Sequence, residues 1–250
     1  MLTCYDATTA RWLRRGGVDF LLVGDTAGHV ILGHDDTIHA PLDFMLTLTA
    51  AVKRGAPEAF VVGDMPWMSY HADADAAIHN AARFLLEGRA DAVKIEVDRR
   101  FVDLVARMDR ANIPVVGHIG WTPQRTPRTG VPVIAGKTDR QVSDLATLAG
   151  ELIEAGVVML LIEQATDAAA AAVLEVARSA DRTIPVIGCG AGPACDGQVV
   201  VLHDWLGLSD WQPSFVKPAA NSGQALSDLA AKWKRVVEEG RHLEGGGVYH

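Results

Sequence analysis

Short apolar runs rich in Val, Ile and Leu recur along the chain, and between them lie amphipathic or alanine-rich segments long enough to form helices. Buried parallel strands have this continuous apolar character, and helices connect them. The alternation is therefore typical of a parallel α/β fold. The predicted strands are Leu2–Tyr5, Phe20–Gly24, Phe60–Gly63, Ala92–Ile95, Val115–Gly117, Val158–Ile162, Val186–Gly188 and Phe215–Val216. The predicted helices are Thr8–Arg15, Pro41–Arg54, Asp73–Glu87, Arg99–Arg110, Asp139–Ala155, Asp167–Ser179 and Gln224–Glu239.

The number of predicted strands favours one of two parallel architectures. Eight strands with helices between them predict a (β/α)8 TIM barrel. A doubly wound open sheet is the competing architecture, but no Gly-x-Gly-x-x-Gly turn follows the first strand. We expect a single domain over residues 1–250, with a lid in the helix-poor segment Trp121–Lys137 and a flexible tail from about residue 241 to residue 250.

Composition narrows the class of partner. The chain has 250 residues, of which 49% are hydrophobic and 22% charged, as in a soluble globular protein. Its formal charge of −8 argues against nucleic acid or an anionic membrane as a partner, and no apolar run approaches the ~20 residues of a membrane span. Cys4, Cys189 and Cys195 lack paired spacing, and the start of the chain lacks a signal-peptide pattern. We therefore expect a cytoplasmic protein with reduced thiols.

Every predicted strand ends near a polar or reactive residue. In a barrel the functional face lies at the carboxyl ends of the strands, where the βα loops converge. Burying so many ionisable groups together is costly unless they are paired or bind a metal. In chain order the strand ends carry Tyr5-Asp6, Asp25-Thr26, Asp64, Lys94 with Glu96, His118, Glu163, Cys189 and Lys217.

Three of these strand ends supply carboxylates, which favours a metal site. Asp25, Asp64 and Glu96 offer only oxygen ligands, so Mg²⁺ is favoured over Zn²⁺, although Mn²⁺ or Co²⁺ would accept the same ligands. Mg²⁺ also accepts the carboxylate and ketone oxygens of a 2-oxo acid and acidifies the neighbouring C–H bond. The alternative for each Asp taken alone is that it caps the following helix.

Glu163 is the candidate general base. It follows a fully apolar strand, where desolvation would raise its pKa and suit it to proton abstraction, unless a partner such as Lys217 holds it ionised. Lys94 and Glu96 are two residues apart, so both point to the same side of an extended strand. His118 is either a substrate contact or a hydrogen-bonded structural histidine.

Several motifs occur in order along nearly the whole chain. They include Leu22-Val23-Gly24-Asp25-Thr26, Gly63-Asp64-Met65-Pro66, Val93-Lys94-Ile95-Glu96, Gly117-His118-Ile119-Gly120, Thr122-Pro123-Gln124 and Ile184-Pro185-Val186-Ile187-Gly188-Cys189-Gly190-Ala191-Gly192. Together they resemble the ketopantoate hydroxymethyltransferase family of pantothenate biosynthesis. The resemblance implies an enzyme that transfers a hydroxymethyl group from 5,10-methylenetetrahydrofolate to a 2-oxo acid, first of all 3-methyl-2-oxobutanoate, in the presence of Mg²⁺.

The resemblance also implies roles for single residues. Asp25 and Asp64 would ligate the metal, and Glu96 would join through the metal's water shell. Glu163 would take the proton from C3 of the substrate. The expected substrate contacts are Asp25, Thr26, Asp64, Lys94 and His118.

Departures from the family pattern mark the chain as a divergent member. Thr26 stands where the family usually has Ser, and the chain begins at the first predicted strand, without the family's N-terminal extension. We expect a homo-oligomer, but the missing extension leaves the family's decamer open. Two loops that would influence specificity also differ, since Arg128–Pro132 replaces a Gly-Gly-Tyr stretch and Gln164-Ala165-Thr166 replaces Cys-Val-Pro.

Four alternatives stay open at this point. The chain could be a paralogue for another 2-oxo acid, could use free formaldehyde, or could be an inactive barrel that binds a 2-oxo acid. It could also cleave C–C or C–P bonds like the isocitrate lyase and phosphoenolpyruvate mutase enzymes, but it lacks their usual Lys-Lys-Cys-Gly loop.

Overall fold

The computed structural model describes residues 1–125 and 133–240. The chain separates into two compact units, Met1–Val201 and Leu202–His250. The first unit holds one eight-stranded sheet in which every ladder is parallel and the strands pair in chain order. The strands are β1 (Leu2–Thr3), β2 (Phe20–Val23), β3 (Phe60–Asp64), β4 (Ala92–Glu96), β5 (Val115–Gly120), β6 (Met159–Glu163), β7 (Val186–Cys189) and β8 (Gly197–Gln198).

The two edges of this sheet meet. Leu2 in β1 forms a parallel bridge with Val200, just after β8, and the Thr3 N–H donates to the Val200 carbonyl at 3.2 Å. Sequential parallel pairing that returns to the first strand is the topology of a TIM-barrel-like fold, which confirms the predicted fold class. The barrel is a single domain within the first unit, and the extension of that domain to residue 250 stays a prediction.

Helices follow the strands as the periodicity predicts. Asp6 and Asp73 begin two of them by accepting hydrogen bonds from first-turn backbone N–H groups, and Gly156 ends another with a left-handed φ of 108°. The helices of the first unit are Ala7–Arg15, Ala27–Val30, Leu42–Gly55, Ala74–Leu86, Val102–Arg110, Asp139–Ala155 and Asp167–Ser179, with short 3-10 turns at Arg99–Phe101 and Pro123–Arg125.

Alternation along the strands produces two apolar layers. The outer layer packs strand residues such as Val93 and Ile95 against helix residues such as Phe84. The inner layer draws on the strands and the residues beside them, and it contains Leu22, Val62, Ala92, Val116, Met159, Leu161, Ile187 and Val199. Because side chains on a strand alternate between faces, residues two positions beyond these inner residues also point into the barrel. The carboxyl end of the interior is therefore the place where strand-end polar residues gather.

The predicted eighth strand, Phe215–Val216, is wrong. Phe215 lies in a turn of the second unit and is 43% exposed, whereas β8 is Gly197–Gln198, which pairs with β7. This strand is two residues long and contains no large apolar side chain, so it does not stand out as an apolar run. Lys217 consequently does not occupy a strand end.

The second unit contains the helices Leu202–Leu206 and Ser222–Glu238, the latter close to its predicted bounds. No helix within residues 1–125 and 133–240 is long and apolar enough to cross a membrane. The predicted tail, residues 241–250, and residues 126–132 of the predicted lid lie outside the described residues.

Candidate active site

Most of the predicted strand-end residues converge at one end of the barrel interior; Asp6 and Lys217 do not. Asp64 ends β3 next to Lys94 in the ladder, and Glu96 ends β4 next to His118. Glu163 ends β6, two positions after the inner residue Leu161. Five of these side chains are buried, each at most 4% exposed: Asp25, Asp64, Lys94, Glu96 and His118. The structure thus brings these side chains together, and their roles in binding and catalysis stay predictions.

Lys94 is the cation at the centre of the cluster. Its Nζ lies 2.9 Å from Asp64 Oδ1 and 3.3 Å from His118 Nδ1. Burial alone would lower the pKa of Lys94, but the surrounding carboxylates, Asp64 foremost, raise it above its ordinary value. Lys94 is therefore a charged, buried ammonium that does not act as a base.

The carboxylates carry more negative charge than Lys94 balances. Burial, opposed by Lys94 and assisted by Asp25, raises the pKa of Asp64 to about 8. Burial and the charge of Asp25 raise the pKa of Glu96 well above its ordinary value. Raised pKa values show that ionising all these groups together is unfavourable in the protein alone. A divalent cation at this place would supply the missing positive charge.

The carboxylate oxygens of the site are ligands of the kind that Mg²⁺ binds. Within residues 1–125 and 133–240, no group of three or more His, Cys, Asp and Glu side chains is placed so that it could hold a metal ion. Asp25 and Asp64 are nevertheless neighbours, since the Asp25 N–H donates to Asp64 Oδ2 at 2.9 Å. Mg²⁺ commonly binds one or two carboxylates and completes its shell with water and substrate oxygens. Asp25 and Asp64 are therefore the carboxylates that could hold such an ion, and the role of Glu96 at the metal stays a prediction.

The two aspartates are not helix caps, which was the alternative interpretation. Asp73 caps the helix that follows β3, and Thr26 is the residue before the short helix Ala27–Val30. Among the aspartates at the predicted strand ends, Asp6 is the helix cap, because it accepts from the Thr8 and Thr9 N–H groups. The Thr26 hydroxyl lies 2.7 Å from the Tyr5 hydroxyl, which orients it beside Asp25.

Glu163 has the environment expected of a base. Burial raises its pKa to about 8, while the charge of Lys94 and a hydrogen bond with Cys189 act in the opposite direction. Its side chain keeps 16% exposure, so it is open to a ligand, and its Oε2 lies 3.3 Å from His118 Nε2. Burial and Lys94 lower the pKa of His118 well below its ordinary value, so the imidazole is neutral. His118 thus contacts both Lys94 and Glu163.

Sequence reasoning assigned no role to Gln124 and Tyr70. Gln124 is 2% exposed, and its side-chain Nε2 donates to Asp25 Oδ2 at 2.9 Å. The Tyr70 hydroxyl donates to Gln124 Oε1 at 2.8 Å and accepts from the Glu96 N–H at 3.0 Å. Gln124 belongs to the Thr122-Pro123-Gln124 motif, and the resemblance of this motif to the family was the signal in the sequence that could have drawn attention to Gln124. In sequence, a Gln after Pro is typical of an exposed loop.

A closed parallel barrel with acidic and basic side chains at the carboxyl ends of its strands defines the class of TIM-barrel enzymes. Solved structures share this fold. The chain resembles 2,3-dimethylmalate lyase, a PEP mutase/isocitrate lyase superfamily member, with a TM-score of 0.61 and 16% identity over 96% of this chain and 82% of that one. It also resembles phosphoenolpyruvate phosphomutase from Streptomyces platensis subsp. rosaceus, with a TM-score of 0.60 and 14% identity over 96% and 83%. Likeness at this level of identity concerns the fold alone.

Sequence relatives identify the family. The ketopantoate hydroxymethyltransferase profile matches residues 1–243. A 3-methyl-2-oxobutanoate hydroxymethyltransferase of Syntrophobacter fumaroxidans is 45% identical over 240 residues, which cover 96% of this chain and 83% of that protein. The enzyme of the same name from Thermotoga maritima is 42% identical over 241 residues, covering 96% and 87%. This chain belongs to the ketopantoate hydroxymethyltransferase family, a family of transferase enzymes.

Proposed function

We propose that this protein transfers a hydroxymethyl group to 3-methyl-2-oxobutanoate and so forms ketopantoate. The proposal includes 5,10-methylenetetrahydrofolate as the one-carbon donor and Mg²⁺ as the metal. The observation that carries it is the position of Glu163, a carboxyl group with a pKa raised to about 8 at the edge of a buried acidic cluster. Membership of the family supports the same reaction.

The 2-oxo acid would lie over the cluster, between Glu163 and the two aspartates. Its negative charge requires a cation, and Lys94 is a buried ammonium held by Asp64 at 2.9 Å. The Thr26 hydroxyl, held by Tyr5, adds a hydrogen-bond partner. Mg²⁺ bound by Asp25 and Asp64 would polarise the ketone and stabilise the negative charge that develops on its oxygen.

Glu163 performs the proton transfer in this scheme. Its ionised carboxylate takes the proton from C3, and the electron pair of the broken C–H bond moves towards the C2 ketone. C3 then forms a bond to the methylene carbon of the folate while one of the two bonds from that carbon to a folate nitrogen breaks. Water breaks the second of these bonds and supplies the hydroxyl oxygen. The proton taken by Glu163 and one proton of the water go to the two folate nitrogens, so tetrahydrofolate leaves and Glu163 is ionised again. Neutral His118, whose Nε2 lies 3.3 Å from Glu163 Oε2, does not compete with Glu163 for the proton.

Exchange of the C3 proton with deuterium separates the first step from the transfer. We would follow 3-methyl-2-oxobutanoate by NMR in deuterium oxide with the unmodified protein, Glu163→Gln and the matched control Glu154→Gln, which changes an exposed glutamate. The expected result is exchange that requires Mg²⁺, survives in the control and falls by about 10²–10⁴-fold in Glu163→Gln.

Other outcomes would contradict distinct parts of the proposal. Equal exchange in Glu163→Gln and the unmodified protein would show that Glu163 is not the base. Exchange with other 2-oxo acids but not with 3-methyl-2-oxobutanoate would show that the substrate is a different 2-oxo acid. Product formed from formaldehyde alone as fast as from 5,10-methylenetetrahydrofolate would replace the donor. No exchange with any 2-oxo acid, together with retained binding, would leave only a binding protein.

A further inference from the structure

Gln124 connects two carboxylates of the site, Glu96 and Asp25. Its backbone N–H donates to both Glu96 carboxylate oxygens, at 3.2 and 3.1 Å. Its side-chain Nε2 donates to Asp25 Oδ2 at 2.9 Å and to the Met65 carbonyl at 3.1 Å, and its Oε1 accepts from the Tyr70 hydroxyl at 2.8 Å. One buried residue thus binds the carboxylate that follows β2 and the carboxylate that ends β4.

The surroundings allow the amide of Gln124 one orientation. Its nitrogen faces two acceptors, the Asp25 carboxylate and the Met65 carbonyl, and its oxygen faces one donor, the Tyr70 hydroxyl. A flipped amide would place its oxygen against both acceptors, which is repulsive. Because Gln124 is 2% exposed, water cannot replace these bonds, and the side chain is held in place.

An uncharged hydrogen-bond donor can orient a carboxylate at a cation site without neutralising it. Lys94 already neutralises part of the charge on the carboxylates. A second cationic partner would compete with a metal ion, whereas the Gln124 amide orients Asp25 and leaves its negative charge available. Hydrogen-bond partners of ligating carboxylates fix their direction and support metal affinity in this way.

We propose that Gln124 is a positioning residue for a divalent-cation site: it fixes Asp25 through its side chain and Glu96 through its backbone N–H. The inference rests on the proposed function, which assigns the cation to Asp25 and Asp64. The side-chain bonds to Asp25, Met65 and Tyr70 also keep the backbone N–H directed at Glu96, so replacing the side chain releases both carboxylates.

Titration of Mg²⁺ into the metal-free protein, followed by calorimetry, tests this directly. Gln124→Met keeps the length of the side chain but removes the amide, and we expect its Mg²⁺ affinity to fall about 10–100-fold. Tyr70→Phe keeps the Gln124 amide but removes the hydroxyl that orients it, together with the acceptor of the Glu96 N–H, and we expect a smaller loss. Gln224→Met is the matched control, because Gln224 bonds only to residues of its own helix and cap, and its affinity should not change.

The melting temperature of each metal-free variant distinguishes positioning from a purely structural role. A structural role would lower that temperature and leave the Mg²⁺ affinity of the folded protein unchanged. Equal affinity in Gln124→Met and the unmodified protein would therefore overturn this inference alone. If the unmodified protein bound no Mg²⁺, the assigned cation site and this inference would both fall. If Gln124→Met did not fold, unchanged affinity in Tyr70→Phe would overturn the inference.

Discussion

Proton abstraction from the 2-oxo acid should depend on pH through Glu163. Only the ionised carboxylate accepts a proton, and burial raises the pKa of this group to about 8. The folded protein therefore holds Glu163 protonated over a pH range in which an ordinary glutamate is ionised. The rate of C3 exchange should rise with pH through the pKa of Glu163 and become constant above it.

The size of this rise follows from a single ionisation. With a pKa of about 8, about 1% of Glu163 is ionised at pH 6 and about half at pH 8, so exchange should increase by at most roughly fifty-fold between these values. A cation nearby favours the ionised form and lowers the pKa. The midpoint with bound Mg²⁺ should therefore lie at or below about 8, but above the ordinary value of 4.5.

Three neighbouring groups must be distinguished from Glu163 in this pH profile. His118 stays neutral, since its pKa is held well below its ordinary value by burial. The pKa of Asp64 is raised to about 8 and that of Glu96 well above its ordinary value, but a bound divalent cation favours the ionised form of both carboxylates. Measurements at saturating Mg²⁺ therefore isolate Glu163, and measurements at low Mg²⁺ should show an additional loss at acidic pH as Asp64 takes a proton.

The assay is C3 deuterium exchange followed by NMR from pH 5.5 to 9, with the protein-free rate subtracted. Glu163→Asp retains a carboxylate and should keep a pH-dependent profile at a reduced rate, and Glu154→Gln should match the unmodified protein. A rate at saturating Mg²⁺ that is flat over this range would refute the reasoning about desolvation. The same profile in Glu163→Gln would show that another group is the base.

Two further predictions concern the stability of the site, both measured by urea unfolding. Lys94→Met leaves Asp64 without its cation and should lower the free energy of unfolding by about 3–5 kcal/mol. Because the pKa of Asp64 then rises further, this loss should be greater at pH 9 than at pH 6. A loss that does not depend on pH would contradict the reasoning. Gly120→Ala should lower the free energy of unfolding by about 1–3 kcal/mol more than Gly17→Ala does. Both glycines have a positive φ, 91° and 85°. A Cβ at Gly120 would meet the backbone of Glu163, whereas a Cβ at Gly17 would meet no atom within 4 Å.

The strand segments carried enough information to predict much of the site. In Ala92-Val93-Lys94-Ile95-Glu96, period-two alternation places Lys94 and Glu96 on the same face as Ala92, which belongs to the inner layer. The same rule applies to His118 and Glu163. Apolar runs that end in a polar residue thus predict both the strand and the direction of its last side chain.

The loops and the shortest strand were beyond this reasoning. Gln124 and Asp25 lie 99 residues apart in sequence, and Gln124 and Tyr70 lie 54 apart, yet they form a buried network. β8 is a two-residue strand that exists because its backbone pairs with β7, while Phe215–Val216 has the apolar character of a strand without a ladder to join.

The sequence by itself determined the α/β rhythm, the inward direction of the strand-end residues and the family. Tertiary structure alone decided which strand closes the barrel, which loop residues reach the acidic cluster and how far the pKa of Glu163 rises. The physical reason is that alternation and helical periodicity are local properties of the chain. Backbone pairing, burial and the electrostatic effect of one group on another depend on distances that only the folded chain establishes.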